Sequence, residues 1–269
     1  NAMWGSSYTN FSDIDILDYY AWKGNEGAMW ADIVQWHESS IADYVGIGAA
    51  VAHSADPNHM LSYSTVGMQW GNEDWRYHAE DRGKIAQRCA ALGAPLSFFA
   101  INNYPWPLAG HESRNGQWGI SYTKKIAGMP VLYSETGFTS SETLFKGVDE
   151  RRQSIMLRNS LWESLNAGGI GTHIFTWQDR LYITDREKGF GIVTADRRLK
   201  QSFFGAKMDF GLMEQVDIGN LLMGSKDPKP DVAFLWLEAT DSQYVRYEVE
   251  MLQIAGAMER LGYEPNFIM

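Results

Sequence analysis

A single cysteine, Cys89, occurs in 269 residues, and one thiol excludes an internal disulfide framework. No run reaches the roughly 18 unbroken apolar residues of a membrane-spanning helix, so no membrane partner is expected. Positive charge is short as well. Lys and Arg number 23 against 33 Asp and Glu, a formal net charge of −10. A surface of that sign repels phosphate backbones, which argues against a nucleic-acid partner. Metal and cofactor signatures are missing too: no HExxH, CxxC, P-loop or GxGxxG stands in a usable context. His37, His53, His59, His78, His111 and His173 show no ligand spacing, so neither a metal nor a cofactor is expected.

Aromatic side chains are plentiful. The 11 Trp and 13 Tyr can bury large areas in a core, and such rings also stack on the apolar faces of sugars. Hydrophobic residues make up 45% and charged residues 21%, the balance of an ordinary globular protein. After an irregular, aromatic and acidic stretch over 4–27, regular patterns begin. Trp30, Ile33, Val34, Ile41, Val45 and Ile47 share one face and predict a helix over 28–53, which Asp56-Pro57-Asn58 stops. A strand over 59–67 follows, and then three repeats of helix, glycine and strand. They are helix 79–92, Gly93 and strand 96–102; helix 118–127, Gly128 and strand 130–134; helix 149–167, Gly168-Gly169 and strand 170–176. Strands alternating with helices imply parallel βαβ units. Four such units, with polar and aromatic residues gathered after each strand, predict an α/β barrel with its site at the C-terminal strand ends. The domain plan is a barrel domain over 1–210, a linker over 211–230 marked by Lys226-Asp227-Pro228-Lys229-Pro230, and a second α/β unit over 231–269. In that last unit, strand Val232–Leu237, helix Tyr247–Leu261 and a strand from Pro265 to Met269 read as a βαβ beginning.

Four strand ends carry candidate chemistry. Pro130-Val131-Leu132-Tyr133-Ser134-Glu135-Thr136-Gly137 delivers a carboxylate from a buried strand to the barrel mouth, a costly placement unless the group is used. Glycoside cleavage with retention needs such a nucleophile. Asn102-Asn103-Tyr104-Pro105-Trp106 brings amides and rings to the same mouth, where the Tyr104 hydroxyl can donate to Glu135. Phe175-Thr176-Trp177-Gln178-Asp179 places Trp177 as a floor under a sugar, while Asp179 and Arg180 can equally pair with each other. Asn72-Glu73 supplies a second carboxylate, Glu73, as a candidate acid/base. Asn103, Tyr104, Trp106, Trp177 and Asp179 are thus the expected substrate-binding residues.

Together, Asp56-Pro57-Asn58-His59, Asn103-Tyr104, Ser134-Glu135-Thr136-Gly137 and Phe175-Thr176-Trp177-Gln178-Asp179 resemble the second half of a clan-A retaining glycosidase barrel. Glu187-Lys188-Gly189-Phe190-Gly191-Ile192-Val193 with Lys200 fits the same pattern. The opening Trp4-Gly5-Ser6-Ser7-Tyr8-Thr9-Asn10-Phe11 and the Asp18/Trp22 region look like the segment after the acid/base strand of family 42 β-galactosidases. Asp231 to Met269 looks like the start of that family's flavodoxin-like trimerisation domain. The resemblance implies a TIM (β/α)8-type barrel represented by strands five to eight, plus the beginning of a flavodoxin-like α/β domain. It also implies that Glu135 attacks the anomeric carbon while a second Glu protonates the leaving oxygen and then activates water. The implied substrate is an oligo- or polysaccharide with β-galactoside-type linkages.

One departure from the family pattern stands out. There the acid/base Glu closes the fourth strand, three strands before the nucleophile, whereas Glu73 is separated from the Glu135 strand by one strand only. Glu26 and Glu38 are embedded in loop and helix. Four strands also leave two sheet edges, so a homo-oligomer, or completion by another chain, is expected. Two other readings differ in class. A carbohydrate-binding or assembly module without catalysis would bind sugar and not turn it over. A non-sugar barrel enzyme would want a Schiff-base lysine or a Gly-rich phosphate loop, and neither is visible.

Overall fold

A computed structural model describes residues 7–14, 28–65, 82–104, 115–141, 148–180, 188–224, 231–235, 254, 257–258, 261–263 and 265–268. Asp18, Trp22, Glu26, Glu73, Trp106 and Glu187, all named from the sequence, lie outside the described residues. The elements alternate as the periodicity predicts: α1 (Ala28–Ala55), β1 (Ser62–Thr65), α2 (Arg82–Ala91), β2 (Phe98–Asn102), α3 (Asn115–Ala127), β3 (Val131–Thr136), α4 (Glu150–Asn166) and β4 (Thr172–Ile174). β1 to β4 form one parallel sheet in chain order, with a helix in each crossover, the connection that parallel neighbours require. The glycines that punctuate the pattern work as helix stops. Gly93, Gly128 and Gly168 take φ of 67°, 64° and 77°, the left-handed region that a residue with a Cβ avoids. At the other end, Asp149 caps α4 by accepting from the Arg152 backbone N–H at 2.7 Å.

Strand alternation divides the sheet into two faces. Phe99, Ile101, Val131 and Tyr133 point to the helices and pack with Ala42 and Val45 of α1, Ile85, Ala86 and Cys89 of α2 and Ile120 of α3. Phe99, Tyr133 and Ile101 are within 1% of complete burial, and each such side chain contributes about 1.5–3 kcal/mol. Ser62 and Ser64 of β1, Ala100 and Asn102 of β2 and Leu132 and Ser134 of β3 occupy the alternate positions, on the face away from the helices. A second cluster joins α4 to α5 (Gln201–Gln215) through Leu157, Leu161, Ala206 and Met213, together with Ile192 and Val193. Across the same joint Arg158 donates to both oxygens of the buried Asp209, at 2.7 and 2.9 Å, and that carboxylate holds the guanidinium above its ordinary pKa.

Differences from expectation lie at the ends of elements. β3 continues through Glu135 to Thr136, beyond the expected 130–134, whereas β4 covers only Thr172–Ile174 of the expected 170–176. In the stretch 211–230, expected as a linker, α5 runs on to Gln215 and α6 spans Ile218–Gly224; residues 225–230 lie outside the described residues. Beyond it β5 (Val232–Leu235) pairs in parallel with β6 (Pro265–Ile268). Most of the expected helix Tyr247–Leu261 lies outside the described residues. No helix among the described residues is long and apolar enough to cross a membrane.

Candidate active site

Glu135 owes its place to one extra residue. Ile101 of β2 pairs with Tyr133, but the next residue, Asn102, pairs with Glu135. On the other side Tyr133 pairs with Thr172 and Thr136 with Ile174, again three steps on β3 against two on its neighbour. β3 therefore carries a β-bulge at Ser134–Glu135, where two residues oppose one. Simple alternation would send Glu135 to the side of Tyr133, among the helices. With the bulge, Ser134 and Glu135 both lie opposite Asn102, on the face away from the packed helices, and Thr136 returns to full burial. A carboxylate thus reaches the side of the sheet away from those helices, from a strand whose Val131, Tyr133 and Thr136 are buried.

Its neighbours come from the ends of adjacent strands. The Tyr104 hydroxyl, just after β2, donates to Glu135 Oε2. The Asn103 backbone N–H donates to the Glu135 carbonyl at 2.8 Å, and Asn103 itself is buried. The other amide of the pair, Asn102, faces the open side. Its Oδ1 accepts from Ser134 Oγ at 2.6 Å and Ser64 Oγ at 3.2 Å, and those two hydroxyls lie 2.6 Å apart. His173 of β4 is exposed and falls at an alternate position on the same face. A polar row, Ser64, Asn102, Ser134 and His173, therefore crosses the four strands beside Glu135. None of Ser64, Asn102 and Ser134 was singled out from the sequence as a binding residue. The available signal was the small polar residue at every inward position near a strand end, which becomes visible once the parity of each strand is assigned.

Close backbone approach holds the end of β3 against β4. The Phe175 N–H donates to the Thr136 carbonyl at 2.7 Å, and a Cβ on Gly137 would stand 1.9 Å from the Phe175 carbonyl oxygen. Only glycine fits there. Trp177, beyond this contact, is 62% exposed and meets Phe203 edge-on, so it is a surface ring rather than a core one. Asp179 is engaged within the protein. Lys200 Nζ lies 2.7 and 2.8 Å from its two oxygens, and the Gly191 N–H donates to it at 2.9 Å. The pair weighed from the sequence, Asp179 with Arg180, does not form; the Arg180 guanidinium sits over the Phe175 ring at 5.4 Å. Glu38 is fully buried on α1. No group of His, Cys, Asp and Glu among the described residues could hold a metal. The site brings together Glu135, Tyr104 and Asn103, with Trp177 beyond them, while Glu73 and Trp106 lie outside the described residues.

No protein-family model and no curated protein matches the chain. Solved structures do. A beta-galactosidase from the psychrophilic Marinomonas ef1 superposes with a TM-score of 0.62 at 13% identity, over 86% of this chain and 37% of that one. A catalytic mutant of a GH42 beta-galactosidase from G. stearothermophilus gives 0.57 at 14% identity, over 81% of this chain and 32% of that one. The chain thus spans about a third of the length of either. At these identities the likeness is one of fold: the parallel sheet and its helices have the architecture of part of a TIM-barrel glycosidase.

Proposed function

We propose that the chain is the nucleophile-bearing part of a retaining glycoside hydrolase and that Glu135 is its nucleophile. The observation that carries the reading is the bulged end of β3, which turns one carboxylate onto the sheet face away from the packed helices and gives it a tyrosine hydroxyl as partner. In this reading a Glu135 oxygen attacks the anomeric carbon as the bond to the leaving oxygen breaks, giving a glycosyl ester that water later hydrolyses. A second carboxyl group, about 5–5.5 Å away, would protonate the leaving oxygen. The substrate we assign is a β-galactoside or a related polysaccharide, in keeping with the beta-galactosidases of similar fold. Exposed Trp177 offers an apolar surface for a sugar ring. The same reading has the edges of the sheet covered by a second copy or by another chain.

The test uses 2,4-dinitrophenyl 2-deoxy-2-fluoro-β-D-galactoside, whose leaving group needs no protonation and whose ester is slow to hydrolyse. The expected result is a stable glycosyl adduct, located by peptide mass spectrometry on Glu135 and absent from Glu135→Gln. No adduct, or an adduct on another residue, sinks the assignment.

A further inference from the structure

We propose that Phe190 is a positioning residue: it holds the Tyr104 ring at the angle that keeps the phenol on Glu135. The inference rests on the reading of Glu135 above and adds a residue to it. Tyr104 forms a triangle with two other rings. Phe190 meets it at 5.8 Å with the planes 79° apart, and Phe175 at 6.0 Å and 85°; Phe175 and Phe190 meet each other at 6.1 Å. All three contacts are of the edge-to-face kind that aromatic quadrupoles favour. A phenol has two free side-chain torsions. Edge contacts with two rings that also brace each other restrict both torsions, so the hydroxyl is held in place before any ligand arrives.

Such a brace works only if it is itself immobile, and the backbone around Phe190 is tied at several points. Gln153 of α4 is 1% exposed, and its Nε2 lies 2.8 Å from the carbonyls of Phe138 and Gly189, 3.1 Å from Gly191 and 3.3 Å from Phe190. Ser202 of α5 donates to the other end of the same amide at 2.9 Å. Lys200, 2% exposed, reaches the Gly189 carbonyl at 3.2 Å while paired with Asp179. Packing against β3 completes the contact: a Cβ on Gly137 would come within 3.1 Å of the Phe190 ring. Phe190 therefore touches both the tyrosine and the chain two residues past Glu135. No one of these ties is unusual in a loop. Their convergence on the residue that packs against Tyr104 is what assigns the role.

Two measurements on the full chain test this. The first is fluorine NMR of protein carrying 3-fluorotyrosine, with the Tyr104 signal identified by its loss in Tyr104→Phe. Phe190→Leu, which keeps an apolar side chain and loses the ring, shifts or broadens that signal and leaves the other tyrosines in place. The second is kinetic, with 2,4-dinitrophenyl β-D-galactoside. Phe190→Leu lowers kcat about tenfold with KM within about twofold, and the same change costs under about twofold in a Tyr104→Phe background, because two residues acting through one contact are not additive. An unmoved Tyr104 signal overturns the inference, as does an equal kinetic loss in both backgrounds. A parent chain that neither turns over the substrate nor takes the fluorosugar label overturns the glycosidase reading and this inference with it. A parent that is active, with a Tyr104 signal indifferent to Phe190, overturns this inference alone.

Discussion

Gly137→Ala puts one methyl group where the structure has no room, and its cost can be worked from the geometry. The new Cβ would lie 1.9 Å from the Phe175 carbonyl oxygen and 3.0 Å from its carbon, both backbone atoms that no rotamer change can move. Bringing the oxygen out to a tolerable separation requires the end of β3 and the chain just after β4 to part by about 1 Å, and displacements of that size near a reacting group cost on the order of a hundredfold in rate. The move also stretches the 2.7 Å bond from the Phe175 N–H to the Thr136 carbonyl. Overpacking contributes about 1–3 kcal/mol and the weakened hydrogen bond about 1 kcal/mol, so a loss of about 2–4 kcal/mol is expected. For a chain of this size that lowers Tm by roughly 4–16 °C. Differential scanning calorimetry measures the stability, and initial rates on a dinitrophenyl galactoside measure the chemistry. A Gly137→Ala protein with parental Tm and rate would show that the close approach of β3 to Phe175 does not exist in solution.

Two further predictions concern single groups. Burial pushes the Cys89 thiol up to about 11, and its side chain is inaccessible. An aromatic disulfide reagent at about pH 8 should therefore leave the folded chain unlabelled and react at once in denaturant; rapid labelling of the native protein would contradict the packing of α2. Glu150 at the start of α4 has its pKa held below its ordinary 4.5, chiefly by the Arg198 guanidinium, which bonds it at 2.5 Å. A lowered carboxylate pKa gives stability that is present above the unfolded value and lost as pH falls through the folded one. Glu150→Gln should accordingly lower Tm near neutral pH, with the difference shrinking as pH drops below 4.5; a pH-independent difference would reject the ion pair as its cause.

Much of the sheet was legible because the signals were local. Each strand of the repeat ends at a glycine-marked or polar turn and a helical stretch separates it from the next, so parallel pairing followed from alternation alone, although Ile47, read on the apolar face of α1, is 69% exposed. Glu135 was legible for a related reason: an apolar run that ends in a carboxylate is rare enough to notice. What could not be read was which way that carboxylate points. Facing depends on how β3 pairs with β2 and β4, and no property of residues 131–136 taken alone reveals the bulge. Asp179 shows the same limit. Placed after the last strand, it read as a group available to a ligand; Lys200, a buried cation 21 residues later, occupies both its oxygens. Phe190 was read only as part of a family pattern, and its contact with Tyr104 bridges 86 residues of chain. The helical residues within 211–224 do not stand out in the sequence because Gly211, Gly219 and Gly224 punctuate the stretch and Leu212, Val216 and Leu221 are exposed.

The doubled residue in β3 makes the site sensitive to counting rather than to chemistry. Substituting Ser134 alters one side chain, and deleting it removes the extra residue while leaving Glu135 opposite Asn102, because even alternation puts the residue after Tyr133 on that face. Closing the bulge with Ser134 still present is the damaging change: Ser134 alone would oppose Asn102, and Glu135 would fall on the side of Tyr133, carrying a charge into the hydrophobic layer. Placing Ser134 and Glu135 together on one face of another parallel sheet would require the same extra residue.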